Sequence, residues 1–185
     1  MKKSMYIIGI ILLLWSSTQT GYSYGNTQNG YAPRVAQYGL NFIKEKEGYR
    51  SVAYQDAVNK WTIGYGHTAT AKRGMKITPL EGEKLLRKDV RRFEVCVWKK
   101  ANRILEEHQF AALVSFTYNL GCGVLKRGIL KGIRNGNDAL VSYKIKLYVF
   151  AGGRVLRGLV IRRKEEARFY MGDAEIIKRY SKCKN

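Results

Sequence analysis

The chain of 185 residues is long enough for one domain with its own apolar core, without metal or disulfide staples. Hydrophobic residues at 45% and charged residues at 26% exclude an intrinsically disordered chain. The 34 Lys and Arg against 14 Asp and Glu give a formal net charge of +20, which draws the protein to polyanions: nucleic acid, an anionic membrane or an anionic cell wall.

Lys2 and Lys3 precede the apolar run MYIIGIILLLW at residues 5–15, and a polar stretch follows. This is the form of an export signal. The run is short for an ordinary spanning helix, which needs about 20 apolar residues. Ser23 and Gly25 supply small residues for cleavage after Gly25. No charge occurs from Ser4 to Pro33, so the same stretch, left uncleaved, would hold the chain at the inner membrane. Both alternatives put the body of the protein outside the cytoplasm, periplasmic or extracellular. Nucleic acid is then no partner, and no nucleic-acid-binding motif is recognisable. Residues 1–25 read as signal peptide or signal anchor, residues 26–33 as a Gly/Asn-rich linker, and residues 34–185 as the working domain.

Val35, Tyr38, Phe42 and Ile43 share one helical face, and Gly48 is the expected stop. Over residues 50–65 the period changes. Tyr54 and Ile63 sit in β-prone runs joined by residues 57–60, which predicts a hairpin. Gly64 and Gly66 keep the return strand thin, so another backbone or a ligand can approach closely there. Thr78, Pro79 and Glu81 form a helix start with a capping box and proline at the first position. Leu85, Leu86, Phe93 and Val97 continue that helix. Further helices are predicted over residues 107–119 with Gly121 as cap, 138–150 and 159–171. The fold class is α+β: a small N-terminal β-hairpin lobe before a larger helical C-terminal lobe, with a cleft between them.

Cys96, Cys122 and Cys183 match no metal spacing. Three cysteines allow at most one internal pair; the alternative is three buried thiols. His67 and His108 are the only histidines, lie far apart in the chain, and suggest neither zinc ligands nor a nucleophile–base pair. No metal or cofactor is expected.

Glu47 closes the first predicted helix. A carboxylate there faces the negative end of the helix dipole, which disfavours its charged form, as does partial burial. A general acid needs that bias near neutral pH. Taken singly the signal is weak, since a glutamate at a helix end is more often a solvated surface side chain. Asp56 at the hairpin turn is equally a turn aspartate bonding its own backbone, and Thr62 an ordinary strand threonine.

The segment EGYRSVAYQDAVNKWTIGYGHT at residues 47–68 resembles the phage-type lysozymes, the endolysins of glycoside hydrolase family 24. It holds the family's Glu-Gly, Tyr-x-Asp and Thr-Ile-Gly-Tyr-Gly-His at the family spacing. Residues 109–121 resemble its central helix, and Gly158-Leu159-Val160 with Arg162, Arg163 and Glu166 its C-terminal segment. The resemblance implies a lysozyme-like fold and muramidase activity (EC 3.2.1.17). The enzyme would hydrolyse the β-1,4 bond between N-acetylmuramic acid and N-acetylglucosamine in peptidoglycan, breaking down the wall and lysing bacteria. Glu47 would be the general acid, with Asp56 and Thr62 completing the site in a scheme resembling inversion. Tyr54, Gly66, Asn119 and Arg162 are carried over as substrate contacts. Arg162 or Arg163 would stand behind the acid; the alternative is a solvated basic helix face. Cys96 and Cys122 resemble cysteines of a subset of phage endolysins, which implies a bridge between the two central helices. The partner would be peptidoglycan, met by a monomer with transient inner-membrane association through its N-terminus. Gly128-Ile129 stand where the family has Ser-Thr, and Tyr148 where it often has Trp, so glycan specificity is less fixed than chemistry. A membrane-lysing cationic protein and a chitin-cleaving glycosidase are the rival readings.

Overall fold

In the computed structural model the described residues are 32–182 and the strand β1 (Ser23–Tyr24). The predicted export segment, most of the linker and Cys183 therefore lie outside the described residues. Helix α1 (Gln37–Glu47) buries Leu40, Phe42 and Ile43. It begins after Val35, whose backbone N–H donates to Glu94 Oε1 at 2.8 Å instead of joining the helical ladder. Gly48 ends it at φ 69° and ψ 162°, a conformation open essentially to glycine alone. Strands β2 (Arg50–Gln55) and β3 (Trp61–Gly64) form the antiparallel hairpin, with Tyr54 opposite Thr62 and Gln55 opposite Trp61. Residues 75–77 lie along β2, bonded from Ala53 N–H to Met75 O and from Ile77 N–H to Ser51 O, both 2.9 Å.

Helix α2 (Pro79–Ala101) starts with the expected Thr78–Glu81 capping box and leads from the hairpin lobe into the helical one. Strand β4 (Leu105–Glu106) pairs with β1. Helix α3 (Glu107–Leu120) is the centre of the molecule, buried without a break from Gln109 to Thr117. A surface helix would bury one stripe; α3 is covered all round. Cys96 on α2 and Cys122 in the 3₁₀ turn after α3 are disulfide-bonded, with Cα atoms 6.3 Å apart.

Helices α4 and α7, the extent of α5 and a second hairpin differ from the sequence reading. Helix α4 (Arg127–Arg134) was not predicted, because Gly128, Gly132 and an uncapped start hide an eight-residue helix held by burying Ile129 and Ile133. Helix α5 (Asp138–Lys146) stops four residues earlier than expected. The chain there turns into strands β5 (Phe150–Ala151) and β6 (Arg154–Val155). Gly152 and Gly153 join them at φ 57° and 74°, the double positive-φ turn that a Gly-Gly pair favours. Helix α6 (Arg157–Tyr170) packs on α3 and α5. The last, α7 (Ala174–Ser181), starts where Asp173 accepts from Glu175 and Ile176 N–H. It docks Tyr180 between Phe42 and Phe169, ring centroids 5.0 and 5.7 Å away. Burial pushes the Tyr180 phenol up to about 12, so it remains a donor, here to Glu45 Oε1 at 2.9 Å.

The α1–α3 crossing is close because Gly39 has no side chain. A Cβ there would lie 2.7 Å from Ala111 Cβ and 2.8 Å from Val35 Cγ2. Gly39→Ala should therefore lower stability by about 1–3 kcal/mol, the usual range for overpacking, in a denaturant titration.

Candidate active site

Glu47 is the last residue of α1, and the hairpin leaves it after only Gly48 and Tyr49. Its side chain is 22% exposed. Oε1 accepts from Arg162 Nη1 at 2.8 Å, and Oε2 has no donor among the described residues. Of the two arginines singled out in the sequence, Arg162 is the one that reaches Glu47. It does not lie on a solvated face: it is buried on α6, and its Nε donates to Glu166 Oε1 at 3.1 Å.

Glu166 is the hub behind the site and is fully buried. It accepts from Arg162, from Arg163 Nη1, and from Ser115 Oγ at 2.7 Å. Arg163 also donates to Asn119 Oδ1 and to Tyr148 O. Burial lowers the Arg163 guanidinium below its ordinary value, with Glu166 opposing and Arg162 adding to that shift. Glu166 and the two guanidiniums thus form a ladder from the molecular interior to Glu47, in which the buried arginines meet a carboxyl partner as burial requires. The supporting parts played by Glu166 and Ser115 were not read from the sequence. The visible signal was spacing: Glu166 stands four and three residues after the two arginines, one helical turn away.

Asp56 and Thr62 meet at Lys60. Asp56 Oδ1 accepts from Val58 N–H at 3.0 Å and Lys60 N–H at 2.9 Å, while the Thr62 hydroxyl donates to Lys60 O at 3.2 Å. Asp56 thus has the turn-aspartate geometry at Oδ1, while its Oδ2 accepts no bond among the described residues. Thr62 is buried. Tyr54 is exposed, with its ring 5.6 Å from the Arg50 guanidinium carbon. Gly66 adopts φ 89°, and a Cβ there would meet nothing within 4 Å. Asn119 Oδ1 accepts from Arg163, and among the described residues its amide nitrogen donates to no group.

The loop after β3 is tied from two sides. Tyr118 Oη donates to Tyr65 O at 3.1 Å; burial, followed by the charges of Glu47 and Asp89, holds its phenol well above the ordinary range. His67 is buried between Asp89 Oδ2 and Thr70 Oγ1, each 2.8 Å away, and its Nε2 accepts from Thr70 N–H at 3.1 Å. An Nε2 acceptor places the ring proton on Nδ1, facing Asp89. Neither Asp89 nor Thr70 was singled out in the sequence, because both lie outside the hairpin motif. Among the described residues no group of His, Cys, Asp and Glu could hold a metal.

A half-buried carboxylate on an arginine ladder, followed directly by a hairpin bearing Asp and Thr, within a mixed helical fold, defines a lysozyme-like protein. The family profile described as "Phage lysozyme" matches residues 44–166, and the chain belongs to that family. The endolysin of Bacillus phage B103 is 36% identical over 150 residues, covering 78% of this chain and 57% of that protein. The chain thus spans little more than half the length of that relative. The SAR-endolysin of Bacteriophage PS119 is 32% identical over 126 residues, 65% of this chain and 73% of its own. Among solved structures, the muramidase domain of SpmX from Asticaccaulis excentricus superposes with a TM-score of 0.70 at 29% identity, covering 75% of this chain and 97% of that domain.

Proposed function

We propose that the chain is a muramidase that hydrolyses the β-1,4 bond between N-acetylmuramic acid and N-acetylglucosamine in peptidoglycan, and so lyses bacteria. The observation that carries this reading is Glu47: one oxygen held by Arg162, the other open, at the root of the hairpin that bears Asp56 and Thr62. Family membership and the likeness to a muramidase domain support it.

Glu47 gives its proton to the glycosidic oxygen through the open Oε2, and Arg162 steadies the carboxylate that remains. Two backbone donors hold Asp56 Oδ1 in place, which leaves Oδ2 for the developing positive charge or a water. The Thr62 hydroxyl donates to Lys60 O, which leaves its lone pairs to accept from that water. Tyr54, Gly66 and the Asn119 amide are proposed glycan contacts. Water attack on the face opposite the leaving oxygen inverts the anomeric centre. Proton NMR early in the digestion of a wall oligosaccharide should show the new reducing end as the α anomer. A β anomer formed first would instead require a covalent intermediate on Asp56.

The N-terminal pattern supports export by residues 1–25, residues 26–33 linking them to a domain from residue 34 onward. The protein then acts as a monomer in the periplasm or outside the cell. N-terminal sequencing of the exported chain separates a cleaved signal, starting at Asn26, from a retained anchor. Among the described residues, no helix is long and apolar enough to cross a membrane.

A further inference from the structure

From residue 126 to residue 164 the chain carries eleven Lys and Arg and a single carboxylate, Asp138. Asp138 is engaged by Gln109 and Tyr170. Arg162 and Arg163 are turned inward onto Glu47 and Glu166. Among the described residues no ion pair engages the other cations of this stretch, whereas those of α1 and α7 largely face carboxylates.

In chain order an apolar tip falls between these cations. Phe150 and Val155 are cross-strand partners on the β5–β6 hairpin, so their side chains stand on one face. They are 65% and 54% exposed. Leu147 before the hairpin, and Leu156 and Ile161 after it, are exposed as well. Lys144 and Lys146 end α5 just before the hairpin, Arg154 lies on β6, and Arg157 opens α6. The foot of the hairpin is fixed by Arg163 Nε donating to Tyr148 O at 3.2 Å.

We propose that the β5–β6 hairpin, with the adjoining ends of α5 and α6, is a docking surface for an anionic lipid bilayer. Cations draw the face to phosphate headgroups, and the Phe150–Val155 pair enters the headgroup–acyl boundary. A soluble phosphate polymer or nucleic acid would satisfy the cations but offers nothing to a protruding apolar pair. This surface is independent of the chemistry at Glu47. It would hold the enzyme at the membrane face while the cleft works on the wall.

The test is co-sedimentation of the full chain with vesicles of phosphatidylglycerol and phosphatidylethanolamine, and with vesicles of phosphatidylcholine alone. Phe150→Ser/Val155→Ser, Arg154→Glu/Arg157→Glu and Lys144→Glu/Lys146→Glu are compared with wild type. The third pair lies off the hairpin and keeps the test open if a hairpin variant melts early by circular dichroism. Each folded variant should lose about tenfold in partition to the anionic vesicles. High salt should erase the difference made by the charge variants. Partition to phosphatidylcholine should be unchanged by the two charge variants. Unchanged partition to anionic vesicles would overturn the proposal. So would variants that lose binding to insoluble wall sacculi while keeping vesicle binding, which would assign the face to the wall polymer.

Discussion

Glu47→Gln should abolish clearing of permeabilised cells, with activity falling roughly 10²–10⁴-fold, the contribution of a positioned general acid. The change removes one ionisable proton and little else. The glutamine oxygen can still accept from Arg162 Nη1, and Arg162 keeps Glu166 as its charge partner. The melting temperature should therefore stay close to that of wild type. That combination separates the glycosidase reading from a cationic protein that lyses membranes by charge alone, for which Glu47 is irrelevant. Clearing by the variant at the wild-type rate would contradict the assignment of Glu47.

Glu166→Leu should do the reverse and unfold the protein. Glu166 has no exposed surface, and its two oxygens take bonds from Arg162, Arg163 and Ser115. Removing it leaves two guanidiniums buried with one carboxylate, Glu47, at the outer end. Breaking a buried charge pair from one side costs about 3–5 kcal/mol, a large share of the stability of a domain this size. Equilibrium denaturation should show that loss, and activity should fall with the folded fraction. A variant as stable as wild type would mean that the ladder is not what holds α6 against α3.

The hairpin, the stop of α1 and the capping box of α2 were legible because each depends on its own residues: Gly48 for the stop, the 57–60 turn, and Thr78 with Glu81 for the box. Helix α4 was not, since its stability comes from Ile129 and Ile133 inserted into a core built by other elements. The early end of α5 was written in the sequence as Gly152-Gly153 between β-prone residues, a hairpin signal outweighed in the reading by the helical run before it. Spacing and family resemblance together singled out Glu47, Asp56 and Thr62, and their catalytic roles remain proposals. The ladder behind them was obscured for a physical reason. Arg162, Arg163, Lys164, Glu165 and Glu166 look like a solvated charge run, yet Arg162, Arg163 and Glu166 are buried. One-dimensional charge patterns do not tell which side of a helix faces the core.

The proposed cleavage site is tested most directly by the chemistry of the ends it makes. Purified sacculi digested by the full chain are reduced with borohydride and hydrolysed, and the amino sugar alcohols are separated. Cleavage after N-acetylmuramic acid predicts muramitol, rising with digestion and absent with Glu47→Gln. Glucosaminitol in its place would show that the other glycosidic bond is cut, and would contradict the account.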